Sequence, residues 1–94
     1  MKFRAIVRFL SANEGGRKNP PQPTYRPAIK IDDQNYTSCF ITAVDPIKSV
    51  FDFGIEHDVY LELMSENIYL SRLNTDKPIF LYEGSRLIGE GKFV

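Results

Sequence analysis

The 94-residue sequence has no tryptophan, one cysteine and one histidine. With Cys39 alone, no disulfide can form within the chain, which suits a reducing compartment. A lone His57 beside a lone Cys39 does not make the clustered ligand set of a metal site. There is no surplus of charge either: twelve Lys and Arg balance twelve Asp and Glu. No global field therefore draws the chain to polyanions, which argues against strong nonspecific nucleic-acid binding. Long apolar runs are missing as well. Nothing approaches the roughly 20 apolar residues of a membrane-spanning helix. Arg4 and Arg8 break the first apolar segment, and no small-residue cleavage site follows, so it does not read as a secretion signal. The expected location is the cytoplasm.

Catalytic and nucleotide signatures are sparse too. No Gly-rich loop ending in Lys-Ser or Lys-Thr is present to cradle phosphates, so neither a nucleotide nor any other cofactor is expected. Asn74-Thr75-Asp76-Lys77 has the composition of a guanine-reading motif in the wrong order and reads as an exposed loop. Cys39 and His57 are the residue types of a nucleophile and its base. However, Cys39 falls inside a strand pattern between Ser38 and Phe40, where a small buried hydrophobe is the better reading. His57, between Glu56 and Asp58, reads as a solvated turn residue. The chain is not expected to be an enzyme.

Seven Phe and five Tyr point instead to β structure, where aromatics fit pleated, half-buried surfaces. Phe3, Ala5, Val7 and Phe9 alternate with Lys2, Arg4, Ile6 and Arg8 at the period of a half-buried strand. Residues 11–24 hold Gly15-Gly16 and Pro20-Pro21-Gln22-Pro23 and form a loop, since prolines cannot donate ladder hydrogen bonds. Residues 25–31 and 36–44 read as an antiparallel pair around a turn at Asp32-Asp33-Gln34-Asn35. Residues 48–53 read as a short strand, and Val59, Leu61 and Leu63 mark another after a turn at Gly54.

A tight turn at Ser65-Glu66-Asn67 leads into Ile68-Tyr69-Leu70, and a polar linker at 74–77 precedes a strand from Pro78 to Tyr82. Glu83-Gly84-Ser85 reads as a hairpin turn with Gly84 or Ser85 at positive φ, and 86–94 as the closing strand. Six to eight short strands in one domain, 1–94, indicate a barrel or a sandwich. The expected core is Phe3, Val7, Phe9, Ile29, Ile41, Val59, Leu61, Leu63, Ile79 and Leu81. Phe51, Phe53, Tyr60 and Tyr69 are either further core or an apolar contact patch.

Three segments carry a pattern of their own. Phe9-Leu10-Ser11 runs into Glu14-Gly15-Gly16-Arg17, and Tyr25-Arg26-Pro27 follows the prolines. Near the end stands Glu83-Gly84-Ser85-Arg86-Leu87-Ile88-Gly89-Glu90-Gly91. In order and spacing this resembles the C-terminal (third) domain of the elongation factor Tu family of translation factors. That domain has a Glu-Gly-Gly-Arg loop after its first strand, a Tyr-Arg-Pro strand opening, and a terminal Glu-Gly-Gly-Arg hairpin followed by two glycines. The likeness covers nearly the whole chain. It departs at Ser85, where the family has glycine, at Tyr82, where the family has arginine, and at Glu56-His57-Asp58 in place of Pro-Gly-Asp.

The resemblance implies an all-β fold, a small closed antiparallel barrel of about six strands. With no GTPase domain or middle barrel beside it in the sequence, a stand-alone domain is expected. It also implies a role in binding. In the family this domain packs on the middle barrel and the GTPase domain, touches the T-stem backbone of aminoacyl-tRNA and helps dock the exchange factor. Glu14, Gly15, Gly16, Arg17, Tyr25, Arg26, Glu83, Gly84 and Arg86 are the candidate binding residues on that basis. The expected partner is a protein docked on the barrel, with weak tRNA or RNA binding through Arg17, Arg26 and Arg86 as the alternative. With no phosphate-cradling loop or magnesium-ligating Ser/Thr in the required context, binding or hydrolysis of GTP is not expected.

Overall fold

The computed structural model describes residues 2–32, 35–63 and 78–94. Alternation written in the sequence becomes six strands: β1 (Lys2–Phe9), β2 (Ala28–Asp32), β3 (Asn35–Ala43), β4 (Glu56–Leu63), β5 (Pro78–Glu83) and β6 (Arg86–Phe93). They close into an antiparallel barrel in the order β1-β4-β3-β2-β5-β6, with β6 returning to pair with β1. Closure gives every strand a neighbour on both sides, so none of them is an edge strand.

Registers such as Ala5↔Val59, Ile41↔Leu61, Ile29↔Leu81 and Val7↔Gly91 bring the apolar positions of neighbouring strands level with one another. Their side chains fill the interior. Val7, Phe9, Ile29, Ile41, Val59, Leu61 and Leu81 are fully buried, and Leu63 and Ile79 nearly so. Phe3, expected in the core, packs against it while remaining partly buried. Ala5, Cys39, Phe51 and Ile88 complete the core. Cys39 thus has the buried place its strand pattern predicts.

The final strand must pass close to β1. At Gly91 an added Cβ would land on the Ile6 carbonyl and against Val7, so only glycine lets the two strands approach this far. Gly89 lies on the same side, where a Cβ would meet Leu81 and Phe9 at 3.2 Å. The fold therefore accounts for the small residues of this strand.

Three sequence expectations need correction here. Residues 48–53 do not form a strand. The Phe51 N–H donates to the Pro21 carbonyl at 2.9 Å rather than to a ladder, and its ring enters the core beside Phe9, with centroids 5.3 Å apart. Phe51 is a plug at one end of the barrel, made by a loop.

His57 is the second correction: it is 2% exposed, inside β4 and not at a solvated turn. In β4 every second residue faces inward, and His57 shares its parity with Val59, Leu61 and Leu63. Its Nε2–H donates to the Asp52 carbonyl at 2.8 Å, while Nδ1 accepts from the Lys48 ammonium at 3.2 Å. Its ring packs edge-on against Phe51. A buried polar side chain survives because both nitrogens have partners.

Tyr25 does not begin β2. It forms an isolated bridge with Ile41 instead, extending the β2–β3 register beyond Pro27. The turn at Ser65-Glu66-Asn67, the strand at 68–70 with Tyr69, and the linker at 74–77 lie outside the described residues, as do Asp33 and Gln34 of the β2–β3 turn.

Candidate binding site at the barrel rim

The loop that leaves β1 is shaped by its glycines. Residues Ala12–Glu14 make one 3-10 turn, closed by Gly15 at φ 86° with its N–H on the Ala12 carbonyl. The chain then folds back on the end of β1: the Gly16 N–H donates to the Ser11 carbonyl and the Arg17 N–H to the Leu10 carbonyl. At Gly16 a Cβ would collide with the Leu10 backbone, so no other residue allows this return.

The return aims Arg17 at the other end of the chain. Its guanidinium Nη1 pairs with the Glu83 carboxylate at the end of β5, and the Tyr25 hydroxyl donates to the same carboxylate oxygen. Arg17 Nη1 also lies 3.3 Å from the Tyr25 hydroxyl oxygen, and Arg17 Nε donates to the Asn19 carbonyl at 3.0 Å. The guanidinium carbon sits 5.0 Å from the centre of the Tyr25 ring, whose edge-to-face contact with Phe9 ties the cluster to the core.

Burial and the carboxylate acceptor push the Tyr25 phenol up, with the nearby Arg17 charge pulling the other way. Partial burial opposes the Arg17 charge, but Tyr25 and Glu83 outweigh it, so the guanidinium is held more firmly protonated than usual.

Candidate residues from the two ends of the sequence therefore meet at one rim. Gly15 and Gly16 build the loop, Arg17, Tyr25 and Glu83 form a bonded cluster, and Gly84, at φ 60°, turns the β5–β6 hairpin beside it. Ser85, the alternative for that turn position, does not take positive φ.

Glu14, Arg26 and Arg86 stand apart from this cluster. Glu14 accepts from the Ser11 N–H at 3.3 Å and from Arg8 at 3.2 Å, and these contacts hold its carboxyl below the usual carboxylate range. Arg8 reaches Glu90 as well, at 3.3 Å. Arg26 lies on the outer wall, its guanidinium 5.3 Å from the centre of the Phe40 ring. Arg86 is exposed at the hairpin, level with Glu83 across it.

The outer wall of β5, β2 and β3 holds a second feature that the sequence reading did not single out. Lys30 stands between Tyr36 and Phe80, and Ala28 between Ser38 and Tyr82, in the two cross-strand rows. The Tyr36 and Tyr82 rings meet edge to face, 5.4 Å apart, and the Lys30 ammonium lies 5.9 Å from the centre of the Tyr36 ring. The signal was present as polar-side aromatics, out of phase with the apolar set, at 36 and 40 and at 80 and 82. Of the four aromatics read as core or contact patch, Phe51 is core and Phe53 packs against the core, Tyr60 lies half-buried under Lys2, and Tyr69 lies outside the described residues.

For nucleophilic chemistry the described residues offer little. Burial pushes the Cys39 thiol up to about 12, which leaves almost no thiolate near neutral pH. Both His57 nitrogens are engaged, as described above. No group of three or more His, Cys, Asp or Glu among the described residues could hold a metal ion. No helix among them is long and apolar enough to cross a membrane. Neither protein-family models nor curated proteins give a match to this chain.

Proposed function

We propose that this chain is a non-catalytic, cytoplasmic binding module that docks a protein partner, in the manner of the elongation factor Tu C-terminal barrel that its sequence resembles, with a translation-related role. The observation that carries this reading is the outer wall of β5, β2 and β3, where Tyr36, Phe40, Phe80 and Tyr82 stand outward on a barrel whose interior is already filled. Aromatic side chains supply large contact areas at interfaces with few rotatable bonds to freeze. A closed barrel offers no edge for strand addition, so a partner must bind side chains on such a wall.

The ion pairs favour a protein over RNA. Arg17 is paired with Glu83, and Arg8 with Glu14 and Glu90, so these two cations are already neutralised and offer phosphates less attraction. Weak RNA binding through Arg26 and Arg86 is the subordinate reading. The test is retention from a nuclease-treated lysate of the source organism on immobilised wild-type domain and on Tyr36→Ser/Tyr82→Ser. A protein retained by the wild type and lost from the variant is expected. Retention of RNA alone from an untreated lysate overturns the reading.

A further inference from the structure

On the reading of a protein-docking module, the outer wall also specifies its ligand: we infer that an extended acidic segment of the partner lies along β2, with two carboxylates four residues apart flanking one apolar residue. The inference rests on the order of side chains along one strand. Tyr25↔Ile41 and Ala28↔Ser38 keep a single register, which places Arg26 beside Phe40, Ala28 beside Ser38 and Lys30 beside Tyr36. Arg26, Ala28 and Lys30 therefore share one outward line. At about 3.3 Å per residue, the two cations are about 13 Å apart, the span of four residues of an extended chain.

Between the cations the wall is low. Ala28 brings only a methyl group, and its neighbour across β5 is Tyr82, whose ring leans toward Tyr36. An apolar side chain set down over Ala28 meets Tyr82 and Tyr36 while the residues two before and two after it reach Arg26 and Lys30. Both cations already lie over ring faces, Arg26 over Phe40 and Lys30 over Tyr36, which restrains them on the wall. Among the side chains described, which do not include residues 31–35, the salt bridges are made by Arg4, Arg8 and Arg17, and none involves Arg26 or Lys30.

The ratio of groups separates a peptide from a nucleic acid. A single strand stacking its bases on these rings brings one phosphate per nucleotide, whereas this wall matches several rings with two cations, on a chain of zero net charge. An acid at every fourth residue, with apolar residues between, fits that ratio.

A random-peptide phage library selected on the immobilised domain tests the inference, with Arg26→Glu/Lys30→Glu and Tyr36→Ser/Tyr82→Ser as comparison surfaces. Circular dichroism first establishes that both variants keep the fold. Enriched peptides should carry Asp or Glu at positions i and i+4 around an apolar residue. A synthetic version should lose affinity by about tenfold on the charge-reversed surface, as two exposed attractions become repulsions.

Enriched peptides without the paired acids, or equal binding to the charge-reversed variant, overturn the acidic segment while leaving the protein-docking reading intact. Failure to enrich any peptide also overturns the inference. If a short oligothymidylate then binds the wild-type wall and not the charge-reversed one, the protein-docking reading falls with it.

Discussion

Arg17 and Glu83, 66 positions apart in sequence, form an ion pair at the barrel rim, and the Tyr25 hydroxyl donates to the same carboxylate. The tyrosine should give this cluster a pH signature. Its phenol is raised in the folded state, so above the ordinary tyrosine value of about 10 the unfolded chain loses this proton while the folded chain keeps it. Stability contributed by Tyr25 is therefore complete below pH about 10 and falls as pH rises beyond it. Thermal melts between pH 8 and pH 11, read as about these limits, should show a steeper decline for wild type than for Tyr25→Phe. The Cys39 contribution has the same sign and is common to both proteins, so it cancels in the comparison. Parallel declines would remove the cluster from the pH response.

Gly91→Ala should destabilise the domain by about 1 to 3 kcal/mol, because the new methyl must push β6 away from the Ile6 carbonyl and Val7. Urea unfolding measures it. A loss below about half a kcal/mol would mean that β1 and β6 separate easily, contrary to the close approach seen here.

Leu61 is fully buried at the junction of β4 with β1 and β3. Leu61→Ala should cost about 2 to 5 kcal/mol, the range for removing a core leucine and leaving a cavity. The same urea experiment reads it, and a near-neutral result would deny Leu61 its place in the core.

If the subordinate RNA reading holds, tRNA affinity should be weak and the salt slope shallow, at about one to three released counterions. Arg86→Ala should then weaken binding without altering sequence preference, since phosphate contacts position the ligand and do not specify it. Filter binding at low salt decides the matter: no binding, or binding indifferent to Arg86→Ala, removes RNA from this hairpin.

Titration with a fluorescent guanine nucleotide should show no saturable micromolar binding, because the sequence has no phosphate-cradling Gly-rich loop. Saturation would reveal a nucleotide site of another construction.

The sequence by itself determined the strand class, the outline of the six strands and most of the core, because a half-buried strand writes its inward face at every second residue. The turn at Gly84 and the tight passage of β6 at Gly89 and Gly91 were legible for a similar reason, as glycine marks backbone that a Cβ would strain or block. The start of β4 was misread at His57. A polar residue between two acids looks solvated until its parity with Val59 and Leu61, and the partners Asp52 and Lys48, are known. Phe51 looked like strand because an aromatic in an apolar run has the same local pattern whether it joins a ladder or plugs the end of a barrel.

The candidate loops could be named from sequence, but their meeting could not. Only closure of β6 on β1 sets the return of Arg17 beside the end of β5, where Glu83 neutralises it. Likewise, only cross-strand register gathers Arg26, Lys30, Tyr36 and Tyr82 on one wall. Local alternation fixes which way a side chain points, whereas its neighbours across the sheet depend on pairing between distant segments, which is settled by tertiary packing.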